Sequence, residues 1–155
     1  MTGTQDGRGG ASDLRVGLVV SRFNEAVTLA MEEAARSTLI RAGVADEHIE
    51  THYVPGAWEL PLCVQWLLER GGLDGVVALG CVIRGETPHF EFVSLGATTG
   101  LESVARRFSI PVGFGLLTTD TADQARARAG GGKGNKGEEA ALAVLEMCEL
   151  AASIR

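Results

Sequence analysis

The stretch Gly75-Val76-Val77-Ala78-Leu79-Gly80-Cys81-Val82 is an unbroken apolar run, and Ile83-Arg84-Gly85-Glu86-Thr87-Pro88-His89 continues it as a polar, turn-forming segment. An apolar run of this length bounded by turn residues reads as a buried strand. Thr87 followed by Pro88 reads as the N-cap and first position of a helix, because the fixed φ and missing N–H of proline suit a first turn. The segment is thus a strand, a tight turn and a helix start. Such a start directs unpaired backbone N–H groups at one point and favours a phosphate or carboxylate there. His89, a titratable imidazole, stands beside that anion site.

Turn chemistry directly after an apolar run recurs three times. Leu14 to Val20 leads into Ser21-Arg22-Phe23-Asn24-Glu25, Ile49 to Val54 into Pro55-Gly56-Ala57-Trp58-Glu59, and Pro111 to Leu117 into Thr118-Thr119-Asp120. The intervening segments carry apolar or small residues at helical spacing: Val27, Ala30, Met31, Ala34 and Ala35; Leu60, Val64, Leu67 and Leu68; Val93, Ala97, Leu101, Val104, Ala105 and Phe108. Pro61 is tolerable only in the first turn of its helix. Ala141, Val144, Leu145 and Cys148 mark a last helix. Apolar strands alternating with helices imply a parallel sheet covered on both faces. The expected fold is a three-layer αβα sandwich on a four-stranded parallel sheet, flavodoxin-like. Ligands of such sheets bind beyond the carboxyl ends of the strands, where Phe23, Gly56 to Glu59, Ile83 to His89 and Thr118 to Asp120 all fall.

The chain has 155 residues and is 45% hydrophobic, enough for one ordinary core and no second domain. Residues 1–13, rich in Gly, Thr, Ser and Asp, read as a disordered arm, and 14–155 as one α/β domain. A formal net charge of -6 without a basic cluster argues against nucleic acid or an anionic membrane as partner. No apolar run approaches the ~20 residues of a membrane span, and no signal peptide is visible. Cys63, Cys81 and Cys148 are odd in number, widely spaced and set among apolar residues, which fits buried thiols in a reducing cytoplasm. His48 and His52 are four apart, but a strand beginning between them keeps them off one helical face, so no metal site is expected. The Gly130-Gly131-Gly132-Lys133-Gly134-Asn135-Lys136-Gly137 stretch lacks the order of a phosphate loop and reads as a flexible connection.

Four motifs in order carry a resemblance to a known family: Arg22-Phe23-Asn24, Val54 to Pro61, Gly80 to Phe90, and Gly134-Asn135-Lys136-Gly137. Together they resemble lumazine synthase, the penultimate enzyme of riboflavin biosynthesis, from about Leu14 to Ile154. The resemblance implies condensation of 5-amino-6-(D-ribitylamino)uracil with 3,4-dihydroxy-2-butanone 4-phosphate, with loss of phosphate and water and with no metal or other cofactor. It implies that His89 moves protons, which an imidazole does well near neutral pH. By the same resemblance Phe23 would be the stacking platform for the pyrimidine, and Ala57, Trp58, Glu59, Cys81, Val82 and Ile83 would hold the uracil substrate. Glu86, Thr87 and Arg128 match the positions that would hold the phosphate of the second substrate. By the same resemblance Phe114, Arg128 and Lys136 come from a neighbouring subunit of a pentamer. A short loop over Gly130 to Gly137, like that of shell-forming relatives, extends this to a sixty-subunit shell, and riboflavin synthase is a candidate partner.

Two departures stand out. Relatives place a lysine earlier in the glycine-rich loop, whereas here Lys133 directly precedes Gly134, and Trp58 is bulkier than the usual residue there. Plainer readings also exist: a solvated loop histidine for His89, core aromatics for Phe23 and Phe114, and a helix-end cation for Arg128. Asp120 and Asp123 read as capping residues. A noncatalytic flavin or pterin carrier would need the aromatic and the loops but not His89. A shell-forming structural protein would need none of Phe23, Glu59, His89 and Arg128.

Overall fold

The computed structural model describes residues 10–155. Strands β1 (Val16–Ser21), β2 (Ile49–Val54), β3 (Gly75–Ile83) and β4 (Val112–Thr119) form one parallel sheet in the order β2-β1-β3-β4. The register pairs Val16 with Ile49 and Gly75, and Val76 with Val112. Helices α1 (Glu25–Arg41), α2 (Leu60–Arg70), α3 (His89–Phe108), α4 (Ala122–Ala127) and α5 (Lys136–Ile154) connect and cover it.

Alternation along each strand sends side chains to two cores. Leu18, Val20, Val77 and Leu79 meet Met31, Ala35 and Leu39 of α1 and Ala140, Ala141 and Val144 of α5. Val19, Val76, Ala78 and Leu116 meet Leu60, Val64 and Leu67 of α2 and Ala97, Leu101 and Val104 of α3 on the other face. Because both faces are covered, β3 reads as continuously apolar rather than alternating. The expected αβα sandwich is thus the observed one. Pro61 does fall in the first turn of α2.

Several local expectations are corrected. The disordered arm expected over 1–13 falls largely on residues outside the described ones, but Ala11–Asp13 form a 3-10 turn, and Ala11 and Leu14 pack on the core. The order therefore begins before residue 14, because these small and apolar side chains find a hydrophobic surface to cover. Helix α3 begins at His89 rather than Pro88, with Pro88 at the cap position. The Pro88 ψ of 2° makes Thr87-Pro88 a turn, and the Pro88 carbonyl accepts the first helical N–H bonds, from Glu91 at 2.9 Å and Phe92 at 3.4 Å. The glycine-rich stretch is not a free connection but a small antiparallel hairpin, β5 (Ala129–Gly131) and β6 (Gly134–Asn135), tied back by Lys133 N–H donating to the Ala127 carbonyl at 2.8 Å. Of the three free thiols only Cys81 is fully buried; Cys63 and Cys148 are half-buried. Among the described residues no helix is long and apolar enough to cross a membrane.

Candidate active site

In this strand order α1 leaves β1 on one face and α3 leaves β3 on the other, so a crevice opens between the carboxyl ends of these neighbours. A cavity of about 630 Å³ occupies it. Burial along β3 falls away at Val82 and Ile83, so its last residues enter the cavity wall beside Cys81. Ala57, Trp58 and Glu59 come from a 3-10 turn after β2, Phe23 from the turn after β1, and Gly85, Thr87 and His89 from the loop and helix start after β3.

Backbone bonds hold the turn at Phe23 while leaving that residue 71% exposed. Arg22 N–H donates to the Val54 carbonyl at 2.8 Å and Phe23 N–H to that of Pro55 at 3.1 Å, extending the β1–β2 ladder. Asn24 takes the left-handed conformation, φ 64°, and its side-chain amide donates to the Cys81 carbonyl at 2.9 Å. That bond ties the aromatic turn to the end of β3. An Oε1 atom of Glu59 accepts the Gly56 N–H at 2.9 Å, which orients the carboxylate, and its other oxygen has no hydrogen bond among the described residues. The Trp58 indole lies against Gly96 of α3, whose missing side chain makes room for the bulky ring.

At the other rim, the first helical residue is His89, and its N–H reaches Thr87 Oγ1 at 3.5 Å. Phe90, Phe92 and Val93 complete this wall. Burial pushes the Cys81 thiol up to about 11, so it is protonated near neutrality and serves as apolar wall rather than nucleophile. Glu86 is exposed and does not line the cavity. Among the described residues no group of three His, Cys, Asp or Glu side chains could hold a metal.

Phe114, Arg128 and Lys136 lie elsewhere. They line a second depression of about 620 Å³ along the outer edge of β4, with Asp120, Gln124, Lys133 and Glu139. Arg128 donates to the Gln124 carbonyl at 3.0 Å, the helix-end contact, and its other side-chain N–H groups have no partner among the described residues. The displaced Lys133 lines this depression too. Among the described residues the first cavity has no lysine or arginine in its wall, whereas the second has three such cations. One chain therefore separates the residues into an aromatic and imidazole group and a basic group.

Sequence reasoning missed Asn24, Phe90, Phe92 and Asn135 as organising or lining residues. Asn135 caps α5 by accepting from Gly137 N–H at 2.8 Å and Glu138 N–H at 3.3 Å, which places Lys136 in the first turn. An asparagine ahead of Lys-Gly-Glu-Glu was the available signal. Asp120 and Asp123 are not caps. Thr121 caps α4 with Gln124, Asp120 pairs with Arg84, and Asp123 pairs with Arg126 one turn on.

Comparison with known proteins fits this layout. The model of the 6,7-dimethyl-8-ribityllumazine synthase family matches residues 13–152. A 6,7-dimethyl-8-ribityllumazine synthase from Gemmatimonas aurantiaca is 52% identical over 136 residues, covering 88% of this chain and 83% of that protein. One from Pediococcus pentosaceus is 43% identical over 143 residues, 92% of each chain. A match of this extent, running through every strand and both residue clusters, makes the chain a member of the lumazine synthase family.

Proposed function

We infer that this chain condenses 5-amino-6-(D-ribitylamino)uracil with 3,4-dihydroxy-2-butanone 4-phosphate to form 6,7-dimethyl-8-ribityllumazine, releasing phosphate and water, as a transferase of riboflavin biosynthesis. Membership of the family and the naming of both relatives support it. The observation that carries the site assignment is the cavity between β1 and β3, which has Phe23, Glu59 and His89 among its lining residues.

The pyrimidine stacks on Phe23, a contact worth about 1 kcal/mol beyond burial. Ala57, Trp58, Glu59, Cys81, Val82 and Ile83 enclose the uracil and ribityl groups, with the free Glu59 oxygen accepting from hydroxyls. The substrate amine attacks the ketone carbon, water leaves to give an imine, phosphate is eliminated, and the second amine closes the ring with loss of water. Each of these steps moves a proton, and His89 accepts or returns it at the mouth of the cavity. Thr87 and the unpaired amides at the start of α3 face the phosphate, with Glu86 on the same loop.

A phosphate dianion also needs cations, and the wall of this cavity supplies none among the described residues. A neighbouring subunit brings Phe114, Arg128 and Lys136 from its β4 edge, Arg128 to the phosphate through its planar fork and the other two to the uracil substrate. Two unlike apolar faces support such a contact: Trp66, Phe92 and Leu95 on one side, and Met147, Leu150 and Ile154 on the other. Unlike faces that meet head to tail close into a ring, here a pentamer, and a shell of pentamers is the larger form. The widely spaced free thiols fit a cytoplasmic location, and riboflavin synthase is the fitting partner for the product.

The test mixes both substrates with purified chain and follows lumazine fluorescence while light scattering reports size. His89→Ala and Arg128→Ala chains are then dissociated and reassembled together. Recovered activity in the mixture, above either variant alone, is the expected result. No recovery would place both groups in one chain's site, and a yellow protein inactive on both substrates would indicate a carrier.

A further inference from the structure

The loop that carries His89 has little to hold it. Arg84 to His89 are exposed throughout, and the bond from His89 N–H to Thr87 Oγ1, at 3.5 Å, is the one side-chain hydrogen bond from Gly85 to Pro88 among the described residues. The firm contacts lie at Arg84. Its N–H donates to the Thr119 carbonyl at 2.8 Å, adding a rung to the β3–β4 ladder. Its Nε donates to Asp120 Oδ1 at 2.8 Å and its Nη1 to Glu91 Oε1 at 3.3 Å. The guanidinium carbon lies 4.6 Å from the centroid of the Phe90 ring.

These contacts reach two different supports. Asp120 sits in the corner after β4, where its N–H donates to Gln124 Oε1 at 2.8 Å and the α4 capping box fixes the turn. Phe90 and Glu91 belong to the first turn of α3 and follow His89 directly. We propose that Arg84 is a positioning residue: it braces the first turn of α3 against the β4–α4 corner and so sets where His89 and the phosphate-facing amides stand in the cavity. This deepens the reading of His89 as the proton-transfer group and rests on it. Arginine suits the task because one plane offers hydrogen bonds in two directions and a face for the ring, whereas a lysine ammonium offers a single point charge. Both carboxylates, Asp120 first and then Glu91, also keep the guanidinium charged.

Exposed ion pairs contribute little to global stability. The strut acts on position instead, and a small misplacement of a reacting group is costly to rate. The same Asp120 borders the basic depression on the β4 edge, so the brace joins the rim of one cavity to the group offered to the next.

The experiment compares Arg84→Gln, Arg84→Lys, Asp120→Asn and the double variant Arg84→Gln/Asp120→Asn in the assembled protein. Steady-state kinetics, melting temperature and amide hydrogen exchange over residues 85–90 are read together. In Arg84→Gln, kcat falls about tenfold while KM for the uracil substrate stays within about twofold. The melting temperature moves by no more than about 2 °C, and exchange over 85–90 accelerates. Arg84→Lys recovers part of kcat, Asp120→Asn resembles Arg84→Gln, and the double variant is no slower than Arg84→Gln alone. Unchanged exchange, unchanged kcat, or full recovery by lysine overturns the inference. Should wild-type protein make no lumazine, the functional reading fails, and the exchange comparison still decides whether Arg84 braces the loop.

Discussion

Two glycines one turn apart on α3 provide a test in which the same substitution should be tolerated at one and destabilising at the other. Gly96 and Gly100 both lie inside the helix, where alanine is favoured over glycine by about 1 kcal/mol. A Cβ at Gly96 would overlap Trp58 Cζ3 and stand 2.9 Å from Cε3; one at Gly100 would stand 2.7 Å from Pro61 Cγ and 2.8 Å from its Cβ. The obstacles differ in kind. Trp58 is 61% exposed on a short turn, so its ring can swing into solvent and give up contacts worth less than about 1 kcal/mol. Pro61 is locked by its ring in the first turn of α2, so relief requires moving a helix, with an overpacking cost of about 1–3 kcal/mol. Gly96→Ala is therefore neutral or slightly stabilising. Gly100→Ala loses about 1 kcal/mol net, or roughly 2–4 °C in melting temperature for a chain of this length. Thermal unfolding at matched protein concentration, read by circular dichroism, measures both, and concentration matters because association shifts the transition. Gly96→Ala should also raise KM for the uracil substrate, since the displaced indole is part of the cavity wall. Equal losses in the two variants, or a larger loss at Gly96, would refute the distinction between a yielding ring and a fixed one.

His89→Ala should lower kcat by about 10²-fold or less, the lower end of general acid–base help, because water and buffer replace part of the proton transfer; turnover unchanged from pH 5 to 9 would remove His89 from the mechanism. Arg128→Ala should weaken binding of the butanone phosphate by about 1.5–3 kcal/mol with little effect on the uracil substrate, as titration of each substrate would show. Glu50 provides a stability test. Hydrogen bonds from Arg70, at 2.6 and 3.1 Å, hold its carboxyl below the usual 4.5, partial burial opposes them, and His52 at 2.6 Å adds to the lowering. A depressed folded value means that the stabilisation is present above pH 4.5 and fades as pH falls through the folded value. Denaturant melts of Glu50→Gln should accordingly lie below wild type at neutral pH, by up to about 1 kcal/mol for so exposed a pair, and converge with it in acid. A constant gap at all pH values would contradict this.

What was legible in the chain and what was not divides by the range of the interaction. Strand β3 announced itself because both of its faces are buried, so every residue from Gly75 to Cys81 had to be small or apolar. The carboxyl-end loops followed from the parallel order, and with them Phe23, Glu59, Ile83 and His89 at one cavity. Contacts between distant residues left no spacing to read. Asp120 looked like a cap because Asp is common there, yet its partner Arg84 lies 36 positions back. Asn135 caps α5 and also donates to the Ala30 carbonyl at 3.3 Å, a link across 105 positions that makes the hairpin part of the α1–α5 packing rather than a loose loop. The α3 start was missed by one residue because proline fixes φ but not ψ, and ψ alone decides whether Pro88 belongs to the turn or the helix.

The Trp58 departure shows how the two ranges meet. Read along the chain, the indole is only bulkier than the residue usual in that turn, which a mainly backbone role tolerates. In the fold, Gly96 makes room for that bulk: a glycine inside a helix is unfavourable by about 1 kcal/mol, and the ring resting on it accounts for the glycine here. The effects of changing the two residues are therefore coupled. A smaller side chain at Trp58 should make Gly96→Ala stabilising by the full helix preference, about 1 kcal/mol, because the three atoms nearest the new methyl group all belong to that ring. If the double variant Trp58→Ala/Gly96→Ala gained nothing over Trp58→Ala, the glycine would have some other cause, and the cavity wall would not depend on that packing.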